Sequence, residues 1–297
     1  MKEQRITFIE NAFRLLKETG SEKVFLFLNT ESECKWFLRA DIHNKETMVL
    51  VIPKTLSLHE IGFKKGKKAI IRSWSGNQTR FSRIKYAFLH GVLQGIINAD
   101  SKVVCVLGPA GKNHLDTMTV HDLALSWSEE FPFEVDSIIQ NKAFNAVMAV
   151  MDIALDIGAL GREGKSVGTT FVIGDTDNVL KHSHQLVFNP FKGYAKRDRV
   201  ITLPEVVESL KELAKLDGAI IISEEGIVEA AGRNLDAGSV VTKKLRGLGS
   251  RHRAGAGITR KTGAVALVVS ESSGKVTVFE KGKIVAALEP LISRRLV

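Results

Sequence analysis

The sequence predicts an α/β protein of two domains, in which a first half of alternating helices and strands gives way to a second half where helices lead into β-hairpins. Three observations carry that prediction. At 297 residues the chain is longer than one ordinary domain and suits two. Its first half alternates helix-period apolar patterns with short continuous apolar runs, as in a sheet buried on both faces. Its glycines are uneven: 17 of the 25 lie after residue 150, where tight turns and close backbone approaches are needed.

The elements follow in order. Ile6, Ile9, Phe13 and Leu16 fall at helical spacing and Gly20 supplies a stop. Val24–Leu28 reads as a buried strand, Glu31–Ala40 as a helix, and Met48–Ile52 as a strand closed by Pro53. Ala69–Arg72 is a third strand, and a long helix runs from Arg80 to Asn98 with Ile84, Phe88, Val92 and Ile96 on its apolar face. Lys102–Leu107 is a strand, and the turn Gly108-Pro109-Ala110-Gly111 reverses into Asp116–His121. The acidic, aromatic segment Trp127–Asp136 marks a boundary, dividing the chain into 1–126 and 127–297. Beyond it, Phe144, Val147, Met148, Met151 and Leu155 line a helix ending near Gly158, Val167–Ile173 is a strand, and Val206, Leu210 and Leu213 mark another helix. Ala219–Ser223 and Ile227–Ala231 form one hairpin, and Ala264–Ser270, Lys275–Phe279 and Lys283–Leu288 form the next. Between them sits a Gly/Ala-rich helix start, Gly249–Ile258.

Composition excludes several classes. Hydrophobic residues at 44% and charged residues at 25% are globular proportions. The net charge of +9 is shared, +4 before residue 151 and +5 after it, with no basic tail or block. A nucleic-acid binder would cluster its basic residues with interleaved aromatics, so no specific nucleic acid is expected. The longest apolar runs are strand-sized, far from the ~20 residues of a membrane span. Met1–Phe13 is charged and unlike a secretory signal. Cys34 and Cys105 have apolar neighbours and no C-x-x-C spacing, which fits buried free thiols in a reducing cytoplasm.

Some apparent motifs carry no chemistry. Ala159–Ser166 nearly matches a P-loop, but a helix precedes it and a strand follows, the reverse of the order that aims helix amides at phosphate. Lys261-Thr262-Gly263 and Ser272-Ser273-Gly274-Lys275 stand in the wrong order for a penicillin-recognising enzyme. His182 and His184 lack a nearby third metal ligand and read as solvated loop histidines.

Two stretches resist a bland reading. At Leu216-Asp217-Gly218-Ala219 a helix hands over to a buried strand, setting an acid beside a glycine that admits a ligand to the backbone. At Gly249-Ser250-Arg251-His252-Arg253-Ala254 two arginines, a histidine and a hydroxyl crowd the start of a helix of small residues, a chemistry suited to phosphate oxygens.

Together these segments resemble the diadenylate cyclase domain. Similar family segments are Arg162–Gly168, Leu186–Gly193, Gly232-Arg233-Asn234-Leu235 and Ser270–Gly274, so the resemblance spans roughly 137–290. It implies a mixed central sheet flanked by helices, and an enzyme that condenses two ATP into the second messenger cyclic di-AMP, releasing two pyrophosphates. It also implies a divalent cofactor, Mn²⁺ or Mg²⁺, and self-association through the catalytic domain so that two sites face each other. By matched position, Asp217 binds metal and helps activate the 3′-hydroxyl, and Gly218 and Ala219 line the nucleotide. Ser250, Arg251, His252 and Arg253 hold the triphosphate, Ser270 and Glu271 lie near phosphates and metal, Leu235 stands where the adenine is contacted, and Gly232 and Gly249 are further substrate-binding positions. Serine replaces the usual threonine before Arg251, Ser272 stands where many members have a second glutamate, and Leu216 replaces a histidine that some members carry. The first half is similar to the C-terminal domain of pyruvate kinase, an arrangement like that of the soluble archaeal-type cyclases, which implies a regulatory or assembly role. The alternatives are a catalytically silent adenine-nucleotide sensor and a nucleic-acid-binding protein. The intact Asp217 and Arg251-His252-Arg253 stand against the first.

Overall fold

The computed structural model describes residues 2–63, 69–73, 79–98, 100–109, 112–124, 141–162, 165–236 and 249–289. The chain divides into two compact units, Met1–Phe131 and Pro132–Val297. The segment Trp127–Asp136, Ala110 and Gly111 of the first unit's turn, and Glu163 and Gly164 lie outside the described residues.

In the first unit, five strands follow the order β3-β2-β1-β4-β5. They are β1 (Lys23–Phe27), β2 (Met48–Pro53), β3 (Ala69–Ser73), β4 (Lys102–Leu107) and β5 (Thr117–Asp122). The first four run parallel and β5 pairs antiparallel to β4. Period-2 alternation divides the core. Val24, Leu26, Leu50 and Val104 face α1 (Lys2–Thr19) and α2 (Glu31–Arg39), while Phe25, Phe27, Val49 and Cys105 face α3 (Arg80–Leu93). The capping box at Thr30 and Glu33 starts α2. Helix α3 ends at Leu93, five residues before the expected Asn98, because Gly95 turns to φ +63°. Cys34 and Cys105 are buried and free.

The second unit has a seven-stranded mixed sheet in the order β12-β11-β10-β6-β8-β9-β7. Its strands are β6 (Thr169–Ile173), β7 (Ser183–Gln185), β8 (Ala219–Ile222), β9 (Val228–Leu235), β10 (Val265–Val269), β11 (Val276–Glu280) and β12 (Lys283–Leu288). Among the described strands only β6 and β8 pair in parallel, and the other neighbours are antiparallel. Every residue of β6, β8, β10 and β11 is buried, which requires cover on both faces. Helix α4 (Phe144–Leu160) packs on β10 and β11, and a later helix, Ser250–Lys261, packs on β10, β11 and β6. Between them in sequence lie α5 (Thr176–Lys181) and α6 (Pro204–Leu213), so that Ser250–Lys261 is the seventh helix among the described residues, α7.

Four expectations are corrected. Helix α4 runs through Gly158 to Leu160, and Gly161 supplies the stop at φ +58°. Gly158 serves packing instead: a Cβ there would lie 2.1 Å from the Gly274 carbonyl oxygen. Strand β9 reaches Leu235, four residues past the expected Ala231, and β6 starts at Thr169 rather than Val167. His184 belongs to edge strand β7, which sequence did not predict, and its Nδ1 lies 3.0 Å from Asp236.

Candidate active site

Strand register brings distant segments to one end of the second sheet. Thr170 of β6 pairs with Ala219 of β8, Ala219 with Arg233 of β9, and Thr169 with Val269 of β10. Gly168, Asp217-Gly218 and Ser270-Glu271 therefore leave the sheet side by side, from strands far apart in sequence. The start of α7 closes the same end.

Two glycines allow the backbone to converge there. Gly218 takes φ +99°, and a Cβ on it would lie 2.7 Å from both Arg233 N and Gly232 C. Gly232 takes φ +68°, with the space for its Cβ filled by Val187 at 2.6 Å. Both positions exclude larger residues by conformation and by contact. On α7, Gly255 lets the helix sit close to β10, since a Cβ would meet Val268 at 2.9 Å.

The result is a cavity of about 380 Å³ lined by Asp217, Gly218, Ala219, Leu235, Ser250 and Arg251, together with Thr170, Leu186, Arg233, Asn234 and Ala254. Its charged groups lie at hand for a ligand. The Asp217 side chain is 94% exposed, and that of Arg251 is 35% exposed. The Arg251 guanidinium spans two carboxylates, Nη1 at 3.0 Å from Glu271 Oε2 and Nη2 at 3.8 Å from Asp217 Oδ1. Gly249 caps α7 with extended backbone and no side-chain cap bond, so no capping side chain takes up the first-turn amides of the helix.

The remaining predicted residues sit outside the cavity wall. His252 is buried, its Nε2 3.4 Å from Thr277 Oγ1 and its ring edge-on to Phe279. Burial, and then Lys275, holds its pKa below the ordinary histidine value, so it is neutral near neutral pH. Arg253 lies about 200° round the helix from Arg251, and its amide donates to Gly249 O. Gly232 and Gly249 shape backbone behind and before the cavity. Ser270 Oγ lies 3.3 Å from Ser272 Oγ, and Glu271 reaches the site through Arg251.

Sequence reasoning missed Thr170, Leu186, Arg233, Asn234 and Ala254 as cavity residues. Arg233 and Asn234 stood within a matched segment, whereas Thr170 gave only the signal of a β residue. Arg233 has a structural occupation, donating to Ser183 Oγ and Leu180 O.

Among the described residues no group of three or more His, Cys, Asp or Glu could hold a metal alone. The donor chemistry nevertheless fits Mg²⁺ or Mn²⁺, because such ions take one or two carboxylates and complete their shell from substrate phosphates. Asp217, exposed and on the cavity wall, is the carboxylate that would hold it.

A half-exposed arginine, an exposed carboxylate and backbone-lined walls are groups chemically suited to a ligand that carries phosphate. Residues 156–284 match the family model described as "DAC: DisA bacterial checkpoint controller nucleotide-binding". The chain is 33% identical to a diadenylate cyclase of Methanocaldococcus jannaschii, over 94% of this chain and 91% of that one. It is 31% identical to a diadenylate cyclase of Haloferax volcanii, over 70% of this chain and 75% of that one. The cyclic di-AMP synthase CdaS of Bacillus subtilis is 40% identical over 27% of this chain and 35% of its own length. The chain belongs to the diadenylate cyclase family. A crystal structure of DacA from Staphylococcus aureus is 23% identical, covers 47% of this chain and 84% of that one, and overlaps at a TM-score of 0.31, too low to bear on the fold. No helix among the described residues is long and apolar enough to cross a membrane.

Proposed function

We propose that the chain condenses two ATP molecules into cyclic di-AMP with release of two pyrophosphates. The observation that carries this reading is the meeting of Asp217 and Arg251 at one cavity, from segments more than thirty residues apart, in a chain of this family.

The residues divide the work by chemistry. Gly218, Ala219 and Leu235 accept the nucleoside, since a glycine backbone and an apolar side chain offer close contact without charge. Ser250, Arg251 and the α7 amides take the triphosphate, with Arg251 stabilising charge that grows on the α-phosphoryl oxygens as the 3′-oxygen attacks. Asp217 accepts the proton of that hydroxyl and orients it. A Mn²⁺ or Mg²⁺ held by Asp217, with Glu271 nearby, would supply Lewis-acid stabilisation of the phosphoryl oxygens. Neutral, buried His252 fixes the rotation of α7 through Thr277 and Phe279, and Arg253 belongs to the same helix start.

Each ATP is both nucleophile and electrophile, so two sites must face one another. A two-fold pair of second units meets that need. The exposed Leu186, Val187 and Phe188 beside the cavity supply apolar surface for such a pair. We assign residues 1–126, similar to the C-terminal domain of pyruvate kinase, a regulatory or assembly role, and residues 127–297 the catalysis. Buried free thiols suit a cytoplasmic setting.

Pyrophosphate release from ATP, followed with Mn²⁺ or Mg²⁺ over a range of protein concentrations, tests the reading. We expect release, with specific activity rising as the pair assembles. Tight ATP binding without pyrophosphate under both metals would instead favour a silent sensor.

A further inference from the structure

Gly168, immediately before β6, has no side chain to bring to the cavity, yet it stands against the two groups that aim the site's arginine. A Cβ built on it would lie 2.9 Å from Arg251 Nη1 and 2.8 Å from Glu271 Cβ. Gly168 is buried, and unlike Gly218 or Gly232 it is not among the glycines of positive φ. Its requirement is therefore for space and not for backbone conformation. That space is taken by the stem and backbone nitrogen of Glu271, the latter 3.1 Å from the built Cβ, and by the Arg251 guanidinium, whose Nη1 pairs with Glu271 Oε2 at 3.0 Å.

We propose that Gly168 and Glu271 are positioning residues that hold the Arg251 guanidinium at the cavity mouth, Glu271 by pairing with one end and Gly168 by leaving room for the pair. The inference rests on the reading of the cavity as an ATP site. It gives Glu271 a task distinct from metal ligation. A half-exposed arginine has many rotamers, and ordering it before the ligand arrives lowers the entropy cost of binding. The end of the guanidinium nearer Asp217 remains directed at the cavity, where Arg251 forms part of the wall. A methyl group at 168 would press on both the Glu271 stem and the guanidinium and so disturb their pairing, and a displacement near 1 Å at such a group can cost about a hundredfold in rate.

The test reads ATP affinity as well as turnover, using a fluorescent ATP analogue with Mn²⁺ and again in EDTA. Gly168→Ala is expected to weaken analogue binding about tenfold, with some loss of melting temperature because the Glu271 main chain must also give way. Glu271→Gln should produce a similar loss, and the two should not multiply, because they disable one device. The loss at Glu271→Gln should persist in EDTA. If it vanishes when metal is removed, Glu271 acts as a metal ligand and the proposal fails. If Gly168→Ala binds like wild type, or its loss multiplies with that of Glu271→Gln, the proposal also fails. Should Gly168→Ala unfold, the EDTA comparison on exposed Glu271 still decides. A wild type that binds the analogue but makes no product would overturn the cyclase reading, while leaving these affinity comparisons in force.

Discussion

Arg83 in the first unit and Arg251 in the second show how differently the two sheets use the same side chain. Arg83 is 6% exposed, lies over the Phe27 ring, and donates to Gly108 O at 2.7 Å and to Asn29 Oδ1. Its desolvation lowers its pKa to about 10, still charged at neutral pH. Arg251 is half-exposed and its described partners are two surface carboxylates. The first guanidinium has carbonyl and amide oxygens fixed around it and serves to tie β1, β4 and α3 together. The second has partners that a phosphate can replace. An arginine available for chemistry is one whose hydrogen bonds are incomplete or exchangeable.

The largest expected effect lies on the second side of that comparison. Asp217→Asn should lower turnover by roughly 10²–10⁴-fold, the range for losing a positioned acid–base group, while ATP binding followed by calorimetry is largely kept. Full activity in this variant would remove Asp217 from the chemistry. Next is Gly218→Ala, which forces a side chain into φ +99° against the Gly232–Arg233 backbone. Strain of ~1–3 kcal/mol should appear as a lower denaturant midpoint together with weaker ATP binding.

The arginine pair gives a direct contrast. Arg83→Ala leaves the Gly108 carbonyl and Asn29 without their donor, at about 1–3 kcal/mol of stability. Arg251→Ala should change stability by no more than about 0.5 kcal/mol while sharply reducing turnover. Equal losses of stability would dissolve the distinction.

The smallest effect is a pH dependence in the first unit. Burial, and then Lys54, lowers the His90 pKa from 6.5 to about 4, and its Nε2 has no hydrogen-bond partner among the described residues. Between those values the unfolded chain binds a proton that the native state refuses. Stability is thus complete above about 6.5 and falls as pH drops toward 4. His90→Phe should flatten that slope in urea titrations at successive pH values.

Much of this was legible in the sequence where local rules decide. Strands such as Val24–Leu28 and Met48–Ile52 are continuous apolar runs, and the Asp217 and Arg251 segments carry their chemistry in adjacent letters. Element ends were harder, because a glycine can stop a helix, as Gly95 does, or pack inside one, as Gly158 does. Short edge strand β7 has no apolar run to announce it. The cavity contacts of Thr170, and the room that Gly168 leaves for Arg251, depend on register between β6, β8 and β10. Register is a tertiary property, and single-segment patterns do not contain it.

The chemistry we propose for this cavity joins a 3′-oxygen to an α-phosphorus, twice per product. Its most direct test is mass spectrometry of quenched reactions containing Mn²⁺ and either ATP or 3′-deoxy-ATP. We expect cyclic di-AMP from ATP, with two pyrophosphates per product, and no cyclic product from 3′-deoxy-ATP although it binds. Bound ATP that is returned unchanged, or converted only to AMP or ADP, would contradict it.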